Sequence, residues 1–120
     1  RNGAAKLAYT ENNKALKEGR IATVQSLSGT GAVRLGMDMV KRYFPEDTQV
    51  LLPKPTWPNH NNMAKEINLN LVEYTYYNPA NKGLNLDGFI NDLKRVPEKS
   101  VVLLHACAHN PTGCDPNPDQ

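Results

Sequence analysis

Cysteine, tryptophan and long apolar runs are all scarce in this sequence. The chain of 120 residues holds two cysteines and one tryptophan. Two cysteines do not make a disulfide framework, so a reducing compartment is expected. The longest apolar run, residues 101–108, includes His105, whereas a membrane-spanning helix needs about 20 apolar residues. The sequence therefore argues against a disulfide-rich scaffold and against a bilayer-spanning helix.

An excess of one charge is also missing. The net charge is +2, and no run of lysines or arginines forms a basic stripe. This charge is too small to indicate a nucleic acid or an anionic membrane as a partner. The hydrophobic share of 39% is ordinary for a globular protein, and the length predicts one domain over residues 1–120.

Both ends of the sequence lack features that natural domains often have. The chain starts at Arg1 with neither a methionine nor an apolar leader, so no targeting signal is visible. It ends at Gln120, one residue after Asp119, which resembles a helix N-cap with no helix behind it. We therefore expect a partial domain that is truncated at both ends.

Periodic apolar residues and turn residues divide the chain into alternating helices and strands. Helices are predicted over 1–19 (with a second short helix capped by Asn12 or Asn13), 33–44, 59–68 and 86–95, and strands over 21–27, 49–52, 71–77 and 100–106. This alternation predicts an α/β fold built from right-handed βαβ units on a mostly parallel sheet. Ligands bind such sheets beyond the carboxyl ends of the strands, where three segments fall: 28–31, 56–60 and 109–113.

The first segment, Ser28-Gly29-Thr30-Gly31, lies between a predicted strand and a predicted helix. Free N–H groups at a helix start, a glycine that allows close approach and two hydroxyls suit a phosphate group. The alternative is a glycine-rich turn in which Ser28 is an ordinary cap. The segment is neither a GxGxxG nor a Walker loop, which disfavours dinucleotides and ATP.

The second segment carries the tryptophan within Pro53-Lys54-Pro55-Thr56-Trp57-Pro58-Asn59-His60. A proline-stiffened loop that presents an aromatic ring at the ligand edge suits stacking on a flat cofactor. The alternative is that Trp57 packs in the core and the prolines mark turns. His60 is equally open, since most histidines have no functional role.

The third segment, 105–114, places two histidines and two cysteines close together. In an extended strand His105, Cys107 and His109 would share one face, and Cys114 could complete a zinc site. Structural zinc ligands usually sit on turns with other spacings, so packing is the preferred role for Cys107. Asn110 precedes a proline at a strand end, so its amide is expected to point toward the ligand edge.

The three segments together resemble the aspartate branch of the class I pyridoxal-phosphate (PLP) aminotransferases. The matching strings are residues 24–32 (VQSLSGTGA), 54–57 (KPTW), 59–60 (NH) and 105–113 (HACAHNPTG). The similarity extends over essentially the whole chain, in order. It implies the PLP fold type I, with this chain as the N-terminal part of the large domain and helices on both faces of the sheet.

The resemblance also implies roles for single residues. Ser28, Gly29 and Thr30 would bind the phosphate of pyridoxal 5'-phosphate. Trp57 would stack on the pyridine ring of PLP, and Asn110 would hydrogen-bond to the phenolic oxygen of PLP. Both residues would also bind substrate. His60 would orient the acidic residue that pairs with the pyridine nitrogen. Cis peptide bonds are implied before Pro55 and Pro111, and no metal is implied.

The family's Schiff-base lysine is expected beyond Gln120, so no catalytic residue is expected within this chain and the chain alone would be inactive. The implied activity of the parent is transamination between aspartate and 2-oxoglutarate in a homodimer with small-molecule substrates, without nucleic acid or membrane partners. The alternatives are an aromatic amino acid aminotransferase and a non-catalytic zinc-binding module. The strings look slightly more mitochondrial than cytoplasmic.

Overall fold

The computed structural model describes all residues 1–120, which form five helices and five strands. The helices are α1 (Asn2–Tyr9), α2 (Lys14–Lys17), α3 (Ser28–Tyr43), α4 (Pro58–Glu66) and α5 (Leu86–Leu93). The strands are β1 (Gln49–Lys54), β2 (Asn70–Thr75), β3 (Tyr77–Asn78), β4 (Gly83–Leu84) and β5 (Val101–Val102). The chain divides into two compact units, Arg1–Ala32 and Val33–Gln120. No helix has both the length and the apolar character needed to cross a membrane.

The first unit is helical at its start, irregular over residues 18–27 and helical again where α3 begins. The second short helix predicted within residues 1–19 is confirmed, and the Asn13 side chain caps it by accepting the Leu16 N–H at 3.2 Å. Gly19 follows with a φ of +67°, as expected of a helix-ending glycine.

The strand predicted over 21–27 is wrong, because these residues pair with no other strand. Val24 and Leu27 are 73% and 90% exposed. Apolar and β-branched residues favour an extended backbone, but a strand also requires a ladder partner and a surface to pack on.

The second unit is built on a parallel sheet with the order β2-β1-β5. β1 pairs with β2 from Gln49↔Asn70 to Lys54↔Thr75, and with β5 at Val50↔Val101 and Leu51↔Val102. α4 connects β1 to β2, and α5 lies between β2 and β5 in the chain. The predicted alternation of strands and helices on a parallel sheet is confirmed for this unit.

The sheet is covered on both faces. Met37 of α3 and Met63 and Ala64 of α4 form one buried cluster, against which Leu71 and Leu103 pack. Leu51, Tyr74 and Tyr76 form the other, against which Phe89 and Leu93 of α5 pack. Because neighbouring strand residues point to opposite faces, Leu71 and Val72 belong to different clusters.

β1 continues further than predicted, since Pro53 does not end it. The Leu103 N–H donates to the Leu51 carbonyl (3.0 Å), so the backbone polar groups of Leu51 point toward β5. The backbone of Pro53, two residues later, therefore points toward β5 as well. The next rung would need an N–H on residue 53, which proline lacks. The Tyr74 hydroxyl donates to the Leu103 carbonyl instead, at 2.9 Å.

Other element ends differ from the predictions. The strand predicted over 100–106 is a ladder of only two residues, and Leu104 beyond it is 62% exposed. The predicted strand over 71–77 divides into β2 and β3, and β3 forms a short antiparallel hairpin with β4 that the sequence analysis missed. α4 and α5 agree with their predictions to within two residues at each end.

Candidate functional site

In the first unit, the start of α3 presents unpaired backbone donors. The N–H groups of Ser28, Gly29 and Thr30 have no backbone acceptor, and the first bonded amide is that of Gly31, which donates to the Leu27 carbonyl at 3.1 Å. The hydroxyls of Ser28 and Thr30 form no hydrogen bond within the chain. A Cβ added at Gly29 would meet nothing within 4 Å. This helix start therefore offers free donors and a positive dipole end to an anion.

In the second unit, two loops leave the same edge of the sheet. Residues 55–60 follow β1, and residues 103–115 follow β5. β1 and β5 are parallel neighbours, so their carboxyl ends lie side by side. This brings the predicted site residues Trp57, His60 and Asn110 to one edge.

Trp57 is half-buried and has two kinds of neighbour. It packs against the cluster of Met37, Met63 and Ala64. Its ring also meets the His60 ring edge-on, with 5.3 Å between centroids. Pro58 occupies the first turn of α4 directly after Trp57, a position that suits proline because no N–H is needed there.

A chain of hydrogen bonds joins His60 to the backbone of Asn110. The Asn110 N–H donates to His105 Nδ1 (3.1 Å), His105 Nε2 lies 3.2 Å from Thr56 Oγ1, and Thr56 Oγ1 lies 2.8 Å from His60 Nδ1. A backbone N–H can only donate, so His105 Nδ1 accepts and the ring proton is on Nε2. His105 then donates to Thr56, whose hydroxyl donates to His60 Nδ1. This assignment leaves the ring proton of neutral His60 on Nε2.

All three histidines of this chain have a pKa below the ordinary value, which favours the neutral ring. Burial lowers the pKa of His60, and the nearby His105 lowers it further. Burial also lowers the pKa of His105 and of His109, although Asp115 acts in the opposite direction on both. The hydrogen-bond assignment above, which requires neutral rings, is consistent with these shifts.

His109 is the most deeply buried of the three, at 1% exposed. Its ring stacks on Tyr76 with centroids 3.9 Å apart, and its Nδ1 lies 2.7 Å from Thr112 Oγ1. Its Nε2 is buried without a hydrogen-bond partner. This ring anchors the loop after β5 in the core of the second unit.

Asp115 organises the same loop from outside. Its carboxylate accepts the N–H groups of His109 (2.8 Å) and Ala108 (2.6 Å), and these two bonds lower the pKa of Asp115. The Asn110 side chain is exposed, and its amide forms no hydrogen bond within the chain.

The extended arrangement considered for zinc is wrong, because residues 103–109 are irregular. Cys107 is exposed, so the packing role predicted for it is also wrong, while Cys114 is half-buried. No group of three or more histidine, cysteine, aspartate or glutamate side chains is arranged to hold a metal ion.

The cis peptide bonds implied by the resemblance are both present, before Pro55 and before Pro111. Sequence reasoning missed Thr56, Thr112 and Asp115. Thr56 lies two residues after β1, and Thr112 and Asp115 follow the string that holds His105 and His109. A polar residue next to histidines in the sequence could have been singled out as a hydrogen-bond partner.

The comparisons with known proteins identify the family. The family model "Aminotransferase class I and II" matches residues 1–120. Mitochondrial aspartate aminotransferase of Gallus gallus is 47% identical over 98% of this chain, and aspartate aminotransferase P2, mitochondrial, of Lupinus angustifolius is 50% identical over 97%. Cytoplasmic aspartate aminotransferase of Dictyostelium discoideum is 48% identical over 98%. The chain spans only 25–28% of the length of these relatives.

Solved structures of aminotransferases are also similar to this chain. A mitochondrial aspartate aminotransferase from Trypanosoma brucei superposes with a TM-score of 0.93 at 45% identity, over 98% of this chain and 31% of that one. An aromatic amino acid aminotransferase from Burkholderia cenocepacia gives 0.94 at 41% identity, over 99% and 30%. The Burkholderia pseudomallei aromatic-amino-acid aminotransferase, solved covalently bound to pyridoxal phosphate, gives 0.90 at 34%, over 97% and 29%.

These matches confirm the predicted α/β architecture of PLP fold type I. The family match extends over every residue of the chain. The chain therefore belongs to the class I and II aminotransferases.

Proposed function

We propose that the full-length protein containing this chain is a PLP-dependent aspartate aminotransferase, which transfers the amino group of aspartate to 2-oxoglutarate and yields oxaloacetate and glutamate. The observation that carries this proposal is the 47–50% identity to curated aspartate aminotransferases over nearly the whole chain. The residues of the two loops and of the α3 start support it.

The α3 start fits a phosphate. Three free N–H groups and two free hydroxyls provide five donors, and the positive end of a helix of 16 residues favours an anion. Glycine at position 29 leaves the approach open. Ser28, Gly29 and Thr30 are therefore proposed to bind the phosphate of PLP.

The loops at the sheet edge fit an aromatic ring with polar substituents. The free Asn110 amide is proposed to donate to the phenolic oxygen of PLP and to contact the substrate carboxylate. Trp57 is proposed to stack on the pyridine ring and to contact substrate, since its ring is only partly buried against the core cluster. Both assignments need side chains that are not occupied elsewhere, and Asn110 meets this condition fully.

His60 is proposed to act through a neighbour. With Nδ1 occupied by Thr56, its Nε2–H is the group left to orient an acidic residue that pairs with the pyridine nitrogen. When bound, PLP supplies the chemistry by serving as an electron sink for the substrate Cα carbanion. None of the nine lysines in this chain matches the motif of the family's cofactor-binding lysine, so that group is proposed to come from elsewhere in the full-length protein.

Small-molecule amino acids and 2-oxo acids are the proposed partners, together with a second subunit in a homodimer. A mitochondrial location is proposed from the Gallus gallus and Lupinus angustifolius relatives, with the cytoplasm as the alternative because the Dictyostelium discoideum relative is equally similar. An aromatic substrate preference is the second candidate function, because aromatic aminotransferases are among the solved structures that this chain resembles, as in the Burkholderia cenocepacia enzyme at 41% identity.

The deciding experiment measures transamination by the purified full-length protein, with 2-oxoglutarate as acceptor and aspartate or tyrosine as donor. We expect kcat/KM to be higher for aspartate by at least about tenfold, equivalent to about 1.4 kcal/mol of discrimination. A preference for tyrosine would support the aromatic alternative. The absence of transamination with both donors, in protein loaded with PLP, would overturn the proposed function.

A further inference from the structure

The loop that carries Asn110 is held by one carboxylate. Asp115 Oδ2 accepts the Ala108 N–H at 2.6 Å and Asp115 Oδ1 accepts the His109 N–H at 2.8 Å. These are the two residues directly before Asn110. A carboxylate that accepts two successive amides fixes the direction of both peptide planes, since each oxygen serves one donor.

The hydrogen bonds around Asn110 continue this pattern. Its own N–H donates to His105 Nδ1 at 3.1 Å, and the Gly113 N–H returns to the His109 carbonyl at 2.7 Å. Three successive amides, 108 to 110, are therefore bound, while the Asn110 side chain stays free. The backbone of the loop is fixed, and the side chain is available for a ligand.

The segment whose amides Asp115 accepts is fixed in the core through the His109 side chain. The neighbouring His109 ring is 1% exposed and stacks on Tyr76 at 3.9 Å. Ala108, by contrast, has a φ of +50°, in the left-handed region that costs a non-glycine residue roughly 1–2 kcal/mol. The bond from the Ala108 N–H to Asp115 opposes the relaxation of this residue, so loss of the carboxylate is expected to move the segment leading into Asn110.

We propose that Asp115 is the positioning residue for Asn110: it holds the amides of Ala108 and His109 and thereby sets the place of the Asn110 amide against the phenolic oxygen of PLP. The inference rests on the proposed function, because it requires that Asn110 contacts the cofactor. Asp115 itself touches neither cofactor nor substrate in this proposal.

The test uses the full-length holoprotein and the pH dependence of the absorption of bound PLP. An amide that donates to the phenolic oxygen stabilises its deprotonated form, so Asn110→Ala is expected to raise the pH midpoint of the spectral change by about one unit. Asp115→Asn is expected to raise it in the same direction by a smaller amount. In the Asn110→Ala background, Asp115→Asn is expected to cause no further shift, because its route to the cofactor is already removed.

A second readout does not need the cofactor. In the apoprotein, Asp115→Asn is expected to increase hydrogen–deuterium exchange of the peptide containing residues 108 and 109. Asp119→Asn is the matched control, since it removes the same charge four residues later and the Asp119 carboxylate accepts no hydrogen bond. It is expected to change neither the midpoint nor the exchange. Asp115→Glu, which keeps the charge and moves the carboxylate, replaces Asp115→Asn if that variant does not fold.

Three results would overturn the proposal. If Asn110→Ala leaves the midpoint unchanged, then the assignment of Asn110 within the proposed function is wrong as well. If Asn110→Ala shifts the midpoint and Asp115→Asn does not, only the role of Asp115 is wrong. If Asp115→Asn adds a shift in the Asn110→Ala background, Asp115 acts on the cofactor by another route.

Discussion

The hydroxyl of Ser28 is free in the chain and lies at the start of a long helix, so its removal tests the phosphate assignment at a single atom. We expect Ser28→Ala in the full-length protein to weaken PLP binding by roughly tenfold, because a hydrogen bond to a charged oxygen is lost. Titration of the apoprotein with PLP, followed by absorbance, measures this change.

Ser100→Ala is the control for Ser28→Ala, since it deletes a hydroxyl that donates to the Pro97 carbonyl in the turn before β5. It is expected to leave PLP affinity unchanged. Equal PLP affinity in the Ser28→Ala variant and the parent would count against the phosphate site.

Thr56 joins two histidines through one hydroxyl, and this makes it sensitive to an isosteric change. Thr56→Val leaves Nδ1 of the buried His60 without a donor and Nε2 of His105 without an acceptor. We expect a loss of about 1–3 kcal/mol in the free energy of unfolding, measured by urea denaturation.

Thr56→Ser keeps the hydroxyl and separates the hydrogen bonds from the methyl group of threonine. It is expected to retain most of the stability that Thr56→Val loses. Equal destabilisation by both substitutions would mean that the methyl contact, and not the hydroxyl, stabilises this loop.

The sheet contains one unusual hydrogen bond between strands, in which a tyrosine hydroxyl replaces a backbone N–H as the donor. In Tyr74→Phe, the Leu103 carbonyl loses its only donor, because Pro53 opposite has no N–H. Tyr74 is 1% exposed, and burial raises the pKa of its hydroxyl, with Tyr76 adding to the rise, so the hydroxyl stays protonated as a donor at all physiological pH values. We expect a loss of about 1–3 kcal/mol in urea denaturation.

Tyr77→Phe provides the comparison, since the Tyr77 hydroxyl forms no hydrogen bond within the chain and its ring packs beside the same cluster. It is expected to cost less than about 0.5 kcal/mol. If the two substitutions have the same effect, then the Tyr74 hydroxyl does not complete the ladder.

Among the elements, those with both a periodic pattern and a local partner were predictable from the sequence. α5 has Phe89 and Leu93 on one face and Asn85 as its cap, and both features are visible in the string. The prediction of a strand over 21–27 was wrong because the residue pattern does not report whether a neighbouring strand exists. The predicted end of β1 before Pro53 was also wrong. The strand can include this proline because β5 ends beside it and Tyr74 supplies the missing donor, and neither condition is visible in the local sequence.

The residues of the candidate site also divide into those that the sequence predicted and those that it did not. Asn110, Trp57 and the serine–glycine–threonine string were recognisable because the family resemblance carries their roles. Thr56 and Asp115 were not, because their importance comes from contacts across 49 and seven positions, with His105 and Ala108 respectively. Cys107 was assigned to packing from the general behaviour of cysteine, but the chain leaves the sheet before reaching it.

At the scale of the whole molecule, the rings of the three histidines lie next to one another, and their lowered pKa values are expected to couple stability to pH. Each has a pKa below the ordinary value of 6.5, mainly because of burial. Below pH 6.5 the unfolded chain therefore binds protons that the folded chain does not bind, so stability falls as the pH is lowered. The lowered pKa of Asp115 has the same sign, but its effect begins only near its ordinary value of 3.8.

This prediction is tested by urea denaturation of the full-length protein at pH 7.5, 6.5 and 5.5, compared with His105→Gln. Glutamine keeps a donor for Thr56 but does not titrate, so the variant loses one proton-binding group and relieves the repulsion that His105 exerts on His60 and His109 when charged. The parent is expected to lose more stability than the variant between pH 6.5 and 5.5, with an upper limit of about 1.4 kcal/mol per pH unit for each histidine. Parallel pH profiles for the two proteins would show that the cluster does not control the acid sensitivity of the fold.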